Sequence, residues 1–128
     1  MREVVNVVLS CTDFEGRIPR RTYWLFVFFF WLLYLSLVVV DNMIGTWNDE
    51  VELGWVSGLY AVIMLLPSTS ALVRRLHDTG RSGWWALGSA VPVVSWFVLV
   101  YSIQASQLDE NPWGSPSVRA SAAPAIGD

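Results

Sequence analysis

The chemistry-bearing side chains of this sequence are six arginines, one histidine and one aspartate, in two short stretches. Arg74, Arg75, His77, Asp78 and Arg81 stand in "RRLHDTGRSGWW" (74–85), and Arg17, Arg20 and Arg21 stand in "GRIPRR" (16–21). Guanidinium forks grip phosphate or carboxylate oxygens two at a time, so such a cluster suits an anion, above all a phospholipid headgroup. Histidine is the side chain that titrates near neutrality, so His77 could tune a site of this kind. Asp13, Glu15 and Asp78 compete for the same arginines.

Catalysis fits the pattern less well. His77 and Asp78 are neighbours, about 100° apart on a helix, and cannot pair there. Arg74 lies four residues before Asp78, so a helix continuing past Val73 would make Arg74–Asp78 an i,i+4 ion pair. A nucleophile would need Ser82 or Ser68 beside the histidine together with an oxyanion site, and the spacing gives neither. Cys11 is the single cysteine, which excludes an intrachain disulfide, and one thiol with one imidazole cannot hold zinc unaided. We therefore expect no catalytic residue, no metal and no cofactor. The plainest use of these arginines is topogenic: cations in short loops keep those loops in the cytoplasm.

The elements that must position these groups are apolar. Hydrophobic residues make up 54% of 128 residues and charged ones 15%, with a mean hydropathy of +0.45, more grease than so few charges could keep soluble. "YWLFVFFFWLLYLSLVVV" (23–40) has no charge and reaches roughly 27 Å as a helix, close to the hydrocarbon thickness of a bilayer. It starts too late and follows too many acids to be a signal peptide. A second run covers 55–73 with Pro67 inside it, and a third covers 84–103 with Pro92 near its middle. Pro67 frees a carbonyl one turn earlier, and Ser68, Thr69 and Ser70 could return hydrogen bonds to the loosened backbone. The expected fold is all-α: a small polytopic membrane protein of three transmembrane helices, two of them proline-kinked.

Residues 1–22 read as a cytoplasmic N-terminal segment, 23–103 as the membrane domain and 104–128 as a flexible polar tail. The loop 41–54 carries four acids and no cation. Seven of the eight arginines fall in the N-terminal segment or the 74–83 loop, with Arg119 alone on the tail, so three spans would put the N-terminus inside and the tail outside, and a kink at Pro67 or Pro92 that made one segment re-entrant would change that parity. Gly54 and Gly58, and likewise Ala86 and Ala90, are spaced for close helix contact. Trp31 and Trp96 read as packing residues whose indole N–H needs a partner on a neighbouring helix.

"FEGRIPRRTYW" (14–24), "LLPSTSALVRRLHDTGRSGWW" (65–85) and "ENPWG" (110–114), in that order, resemble the bacterial inner-membrane family known as domain of unknown function 805. At the end of the chain Asn111, Trp113 and Gly114 keep the family's places, Pro112 replaces its arginine, and Ser115, Pro116 and Ser117 replace its closing triplet. The resemblance implies a small polytopic inner-membrane protein and carries no activity with it. The reading is a non-enzymatic accessory, scaffold or lipid-contacting subunit. Arg17, Arg20, Arg21, Arg74, Arg75 and Arg81 would form its cytoplasmic face, organised by His77 and Asp78. Its expected partners are anionic lipid headgroups, a second membrane protein or another copy of the chain, and not nucleic acid. The alternatives are a membrane enzyme using His77 and an oligomeric channel or transporter.

Overall fold

A computed structural model describes residues 1–117. It contains five helices: α1 (Arg2–Leu9), α2 (Arg20–Ile44), α3 (Trp55–Asp78), α4 (Trp85–Gly88) and α5 (Pro92–Ile103). Two short strands, β1 (Trp47–Asn48) and β2 (Leu53–Gly54), pair antiparallel between α2 and α3. The α2–α3 hairpin is the axis of the molecule, and both its helices are long and apolar enough to cross a membrane.

The first apolar run extends beyond its expected end. α2 continues to Ile44 and stops at Gly45, which takes the left-handed conformation (φ 73°). Asp41, counted by sequence among the loop acids, is thus the last buried residue of α2. Its two carboxylate oxygens accept the N–H groups of Val56 (3.0 Å) and Ser57 (2.8 Å), and Oδ1 also accepts the Thr46 hydroxyl (2.5 Å). A carboxylate from one helix therefore caps the positive N-terminus of the next, where the first-turn donors have no partner of their own.

α3 runs unbroken through Pro67. The Ser68 and Thr69 hydroxyls donate to the carbonyls of Met64 (2.6 Å) and Leu65 (2.7 Å), while Ser70 donates away from the helix, to Asp13 (2.6 Å). The helix ends in a Schellman motif: Arg81 N–H bonds Leu76 O at 2.9 Å, Gly80 N–H bonds His77 O at 3.0 Å, and Gly80 supplies the required left-handed φ of 74°.

The third run departs from expectation. Pro92 does not kink a span; it opens α5, where its missing N–H costs nothing. α5 has 12 residues, roughly 18 Å, too short to cross the hydrocarbon core. α4 and α5 fold on each other, with Trp85 edge-on to Tyr101 (centroids 5.4 Å) and Ala86 and Val98 packed with Leu76 of α3. The run is a helical hairpin that packs beside α3 and returns to the end where it began.

Consequently residues 104–117 sit at the same end as the N-terminal segment, not at the opposite one. They are also not a loose tail, since they pack against Arg17, Arg75, His77 and Asp78. The remainder of the expected flexible tail, 118–128 with Arg119, lies outside the described residues. α1 closes the other side of this end, with Val7, Ile18, Phe26 and Ala71 in one buried cluster.

Of the small-residue pairs, Ala86 sits at a helix contact with α3 and α5, while the glycines make room for other features. A Cβ on Gly54 would overlap the Asp41 carboxylate, and one on Gly58 would press on Leu53 at 3.2 Å. Both glycines make room for the α3 cap and its strand. Ala86 is buried, whereas Ala90 is exposed at the hairpin turn. Trp31 and Trp96 face outward, 53% and 70% exposed, rather than packing between helices as expected.

Candidate functional site: a buried Arg–Asp–Arg node

The two stretches singled out by sequence do meet, through one carboxylate. Arg17 Nε lies 3.0 Å from Asp78 Oδ1, and Arg75 Nη1 lies 2.6 Å from Asp78 Oδ2. All three side chains are essentially inaccessible. The Ser117 hydroxyl adds a third bond, 2.6 Å to Asp78 Oδ1.

Two guanidiniums and one carboxylate leave one formal positive charge in a dry interior. A buried charge of this kind persists only when its remaining donors are satisfied. Main-chain carbonyls do this here. Arg75 donates through Nε to Ser102 O (3.0 Å), through Nη1 to Ile18 O (3.4 Å) and the Ser106 hydroxyl (3.3 Å), and through Nη2 to Gln104 O. Arg17 donates through Nη1 to Asp109 O (2.9 Å) and Gly114 O (3.3 Å), and through Nη2 to Gln107 O (2.5 Å) and Asp78 O (3.2 Å). Ser102 and Gln104 stand at the C-terminal end of α5, where the helix dipole is negative. The end of the α4–α5 hairpin thus acts as a partial counter-charge.

Nearby groups complete the clamp. Gln107 N–H bonds Asp78 O at 2.9 Å, and Asn111 Nδ2 donates to His77 O at 2.9 Å. Asn111 and Gly114 exchange main-chain bonds across a tight turn, which lays the Trp113 ring flat on His77 (4.7 Å between centroids, 9° between planes).

The other predicted residues fare differently. The helix does continue past Val73, yet Asp78 pairs with Arg75, at i+3, and not with Arg74. Arg74 turns instead to the Ser10 hydroxyl (2.9 Å), and its Nε is buried without a partner. Arg81 lays its guanidinium over the Tyr101 ring, 4.1 Å from the centroid. Arg20 and Arg21 are exposed; Arg20 reaches only Ile103 O at 3.4 Å, and neither bonds His77 or Asp78. His77 is buried, lines an open cleft beside Ser82, and makes no hydrogen bond with that serine. The Ser82 oxygen instead accepts Trp84 N–H at 3.4 Å. No His, Cys, Asp and Glu cluster of metal-binding form occurs among the described residues.

Sequence reading missed Gln107, Asn111, Trp113 and Ser117, because a segment rich in Ser, Pro and Gly was taken as loose. The signal available was the retained Asn111–Trp113–Gly114 spacing, which marks a specific turn.

Two long apolar helices, capped at one end by a buried ionic node and a short helical hairpin, define a small helical membrane protein. The family model "Protein of unknown function (DUF805)" matches residues 11–115, and the chain belongs to that family. It is 33% identical to the inner membrane protein YhaH of Escherichia coli K12 over 111 residues, covering 86% of this chain and 91% of that one. It is 35% identical to inner membrane protein YhaI of the same strain over 100 residues, covering 78% and 80%. The uncharacterized protein YiiR is 31% identical over 87 residues, 68% of this chain and 53% of that one. No solved structure matches.

Proposed function

We propose that this chain is a non-enzymatic accessory protein of the inner membrane whose charged end is a rigid, lipid-contacting platform. The observation that carries this reading is the Arg17–Asp78–Arg75 node. It ties the N-terminal segment, the end of α3 and the C-terminal segment into one unit. Its arginines are saturated by the protein and serve as framework. The cations left for headgroups are Arg20, Arg21 and Arg81, with the exposed rings of Trp84 and Trp85 beside them at the depth where indoles settle.

This end is the cytoplasmic one by the arginine excess, and the C-terminal segment belongs to it, not to the outside. A second copy of the chain or another membrane protein is the competing partner for the same face. An enzyme needs His77 coupled to a nucleophile, and the Ser82 bond to Trp84 argues against that. A conduit would need several copies, since two long helices and a hairpin enclose no pore.

Retention of phospholipid by the purified protein tests the reading. Each arginine at an anionic surface contributes about 1 kcal/mol. The Arg20→Gln, Arg21→Gln double variant should therefore lose phosphatidylglycerol by roughly 25–30-fold relative to wild type in native mass spectrometry, with phosphatidylcholine unchanged. Equal retention by both proteins would reduce these arginines to topogenic signals.

A further inference from the structure

We infer that the cleft between α3, α4 and the C-terminal turn binds a single-chain amphiphile with an oxygen-bearing head, gripped by His77. The cleft holds about 440 Å³, within the range of small-molecule sites, and four separate segments wall it. Phe14 comes from the N-terminal segment, Val73 and His77 from α3, Leu87 from α4 and Trp113 from the C-terminal turn. The walls are mostly apolar, with Thr69, His77 and Ser82 as their polar side chains.

His77 is built into the wall in a way its structural role does not require. The residue is 7% exposed, and Trp113 stacks on its ring and fixes its plane. The Gly16 main chain lies within reach of the imidazole, and Nδ1 is enclosed by the protein, so Nε2 is the nitrogen that can meet a ligand. Nε2 points at the space in front of Gly83: a Cβ there would lie 3.2 Å from Nε2 and 2.7 Å from Val73 Cγ1. Gly83 has an ordinary negative-side backbone, so the turn itself does not call for glycine. The missing side chain keeps the imidazole edge open to the cleft.

A ligand meeting these walls needs an apolar body for Phe14, Val73, Leu87 and Trp113, and an oxygen for the imidazole and the Ser82 hydroxyl. A fatty acid or a lysophospholipid has this form. The two share the chemistry and differ in the head, carboxylate or phosphate. The inference is independent of Arg20 and Arg21, so its failure and that of the platform reading are separable.

His77 is the only histidine, so protein carrying ¹⁵N-histidine gives a single pair of imidazole signals. The full chain in a zwitterionic micelle would be titrated with oleate, with lyso-phosphatidylglycerol and with inorganic phosphate. A saturable shift of the imidazole nitrogens with one or both amphiphiles, and none with phosphate alone, is the expected result. Gly83→Val should weaken that response at least tenfold while the folded NMR spectrum is kept. Leu87→Trp, which narrows the cleft from its exposed rim, serves as the second variant should Gly83→Val not fold. No saturable shift in wild type, a response to phosphate alone, or an unaltered response in whichever variant folds, overturns the inference.

Discussion

Asp78 holds one guanidinium on each carboxylate oxygen and is wholly buried. Removing its charge strands two buried cations, and breaking a buried ion pair from one side costs about 3–5 kcal/mol. Asp78→Asn should therefore lower the unfolding free energy of the micelle-bound protein, read from its urea transition, by about that much, far more than Asp13→Asn on the exposed loop. Arg17→Lys should not rescue the node. Lysine has a compact three-proton head, and Arg17 spreads its donors over Asp78, Gln107, Asp109 and Gly114. At the other end of the hairpin, Gly54→Val would drive a side chain into the Asp41 carboxylate and break the α3 cap. Hydrogen exchange of the Val56 and Ser57 amides should then accelerate, with amides near Leu76 unaffected. Equal protection in both proteins would show that the cap contributes nothing.

At the scale of the element, α4 and α5 decide the topology. Twelve residues of α5 cannot reach across a bilayer, and its last carbonyls are held by Arg75. Residues 10–19 and 104–117 therefore meet at one end of the α2–α3 hairpin, and we expect both segments on one side of the membrane. With Cys11 replaced by serine, single cysteines at Ser10 and at Asp109 should react alike in inverted vesicles, and neither should react in intact cells with an impermeant maleimide. Labelling of Asp109→Cys from outside would restore a third full span. A cysteine at Asn48, in the strand pair between α2 and α3, should show the opposite pattern.

Across the whole molecule, burial is uneven. The end carrying the node has α1 on one side and the α4–α5 hairpin on the other, with two clusters of buried apolar residues. The far half of the α2–α3 hairpin is nearly bare: Trp31, Leu35, Val39, Met43, Trp55, Leu59, Val62 and Leu66 are all exposed. Such a surface is stable only against hydrocarbon, which accords with the inner-membrane relatives. The charged end relies on chain connectivity instead, since the C-terminal segment supplies most of the acceptors for Arg17. Truncation after Ile103 should leave those donors bare. The shortened chain should lose its cooperative unfolding transition, whereas truncation after Ser117 should preserve it.

The membrane character was legible in the sequence, because an 18-residue uncharged run has one low-energy solution in lipid. The importance of Arg17, Arg75 and Asp78 was legible too, as charges flanking apolar runs in an unusual pattern. Their partnership was not, because Arg17 and Asp78 are 61 residues apart and only folding brings them together. Hydropathy also could not tell a span from a helical hairpin: Pro92 reads the same at a kink and at a helix start. The choice was made by the α5 C-terminus, whose carbonyls are needed by a buried arginine. That same demand for acceptors turned a Ser- and Pro-rich tail into a folded clamp. Composition measures what a segment contributes to a core, and says nothing of the main-chain oxygens a distant charge requires.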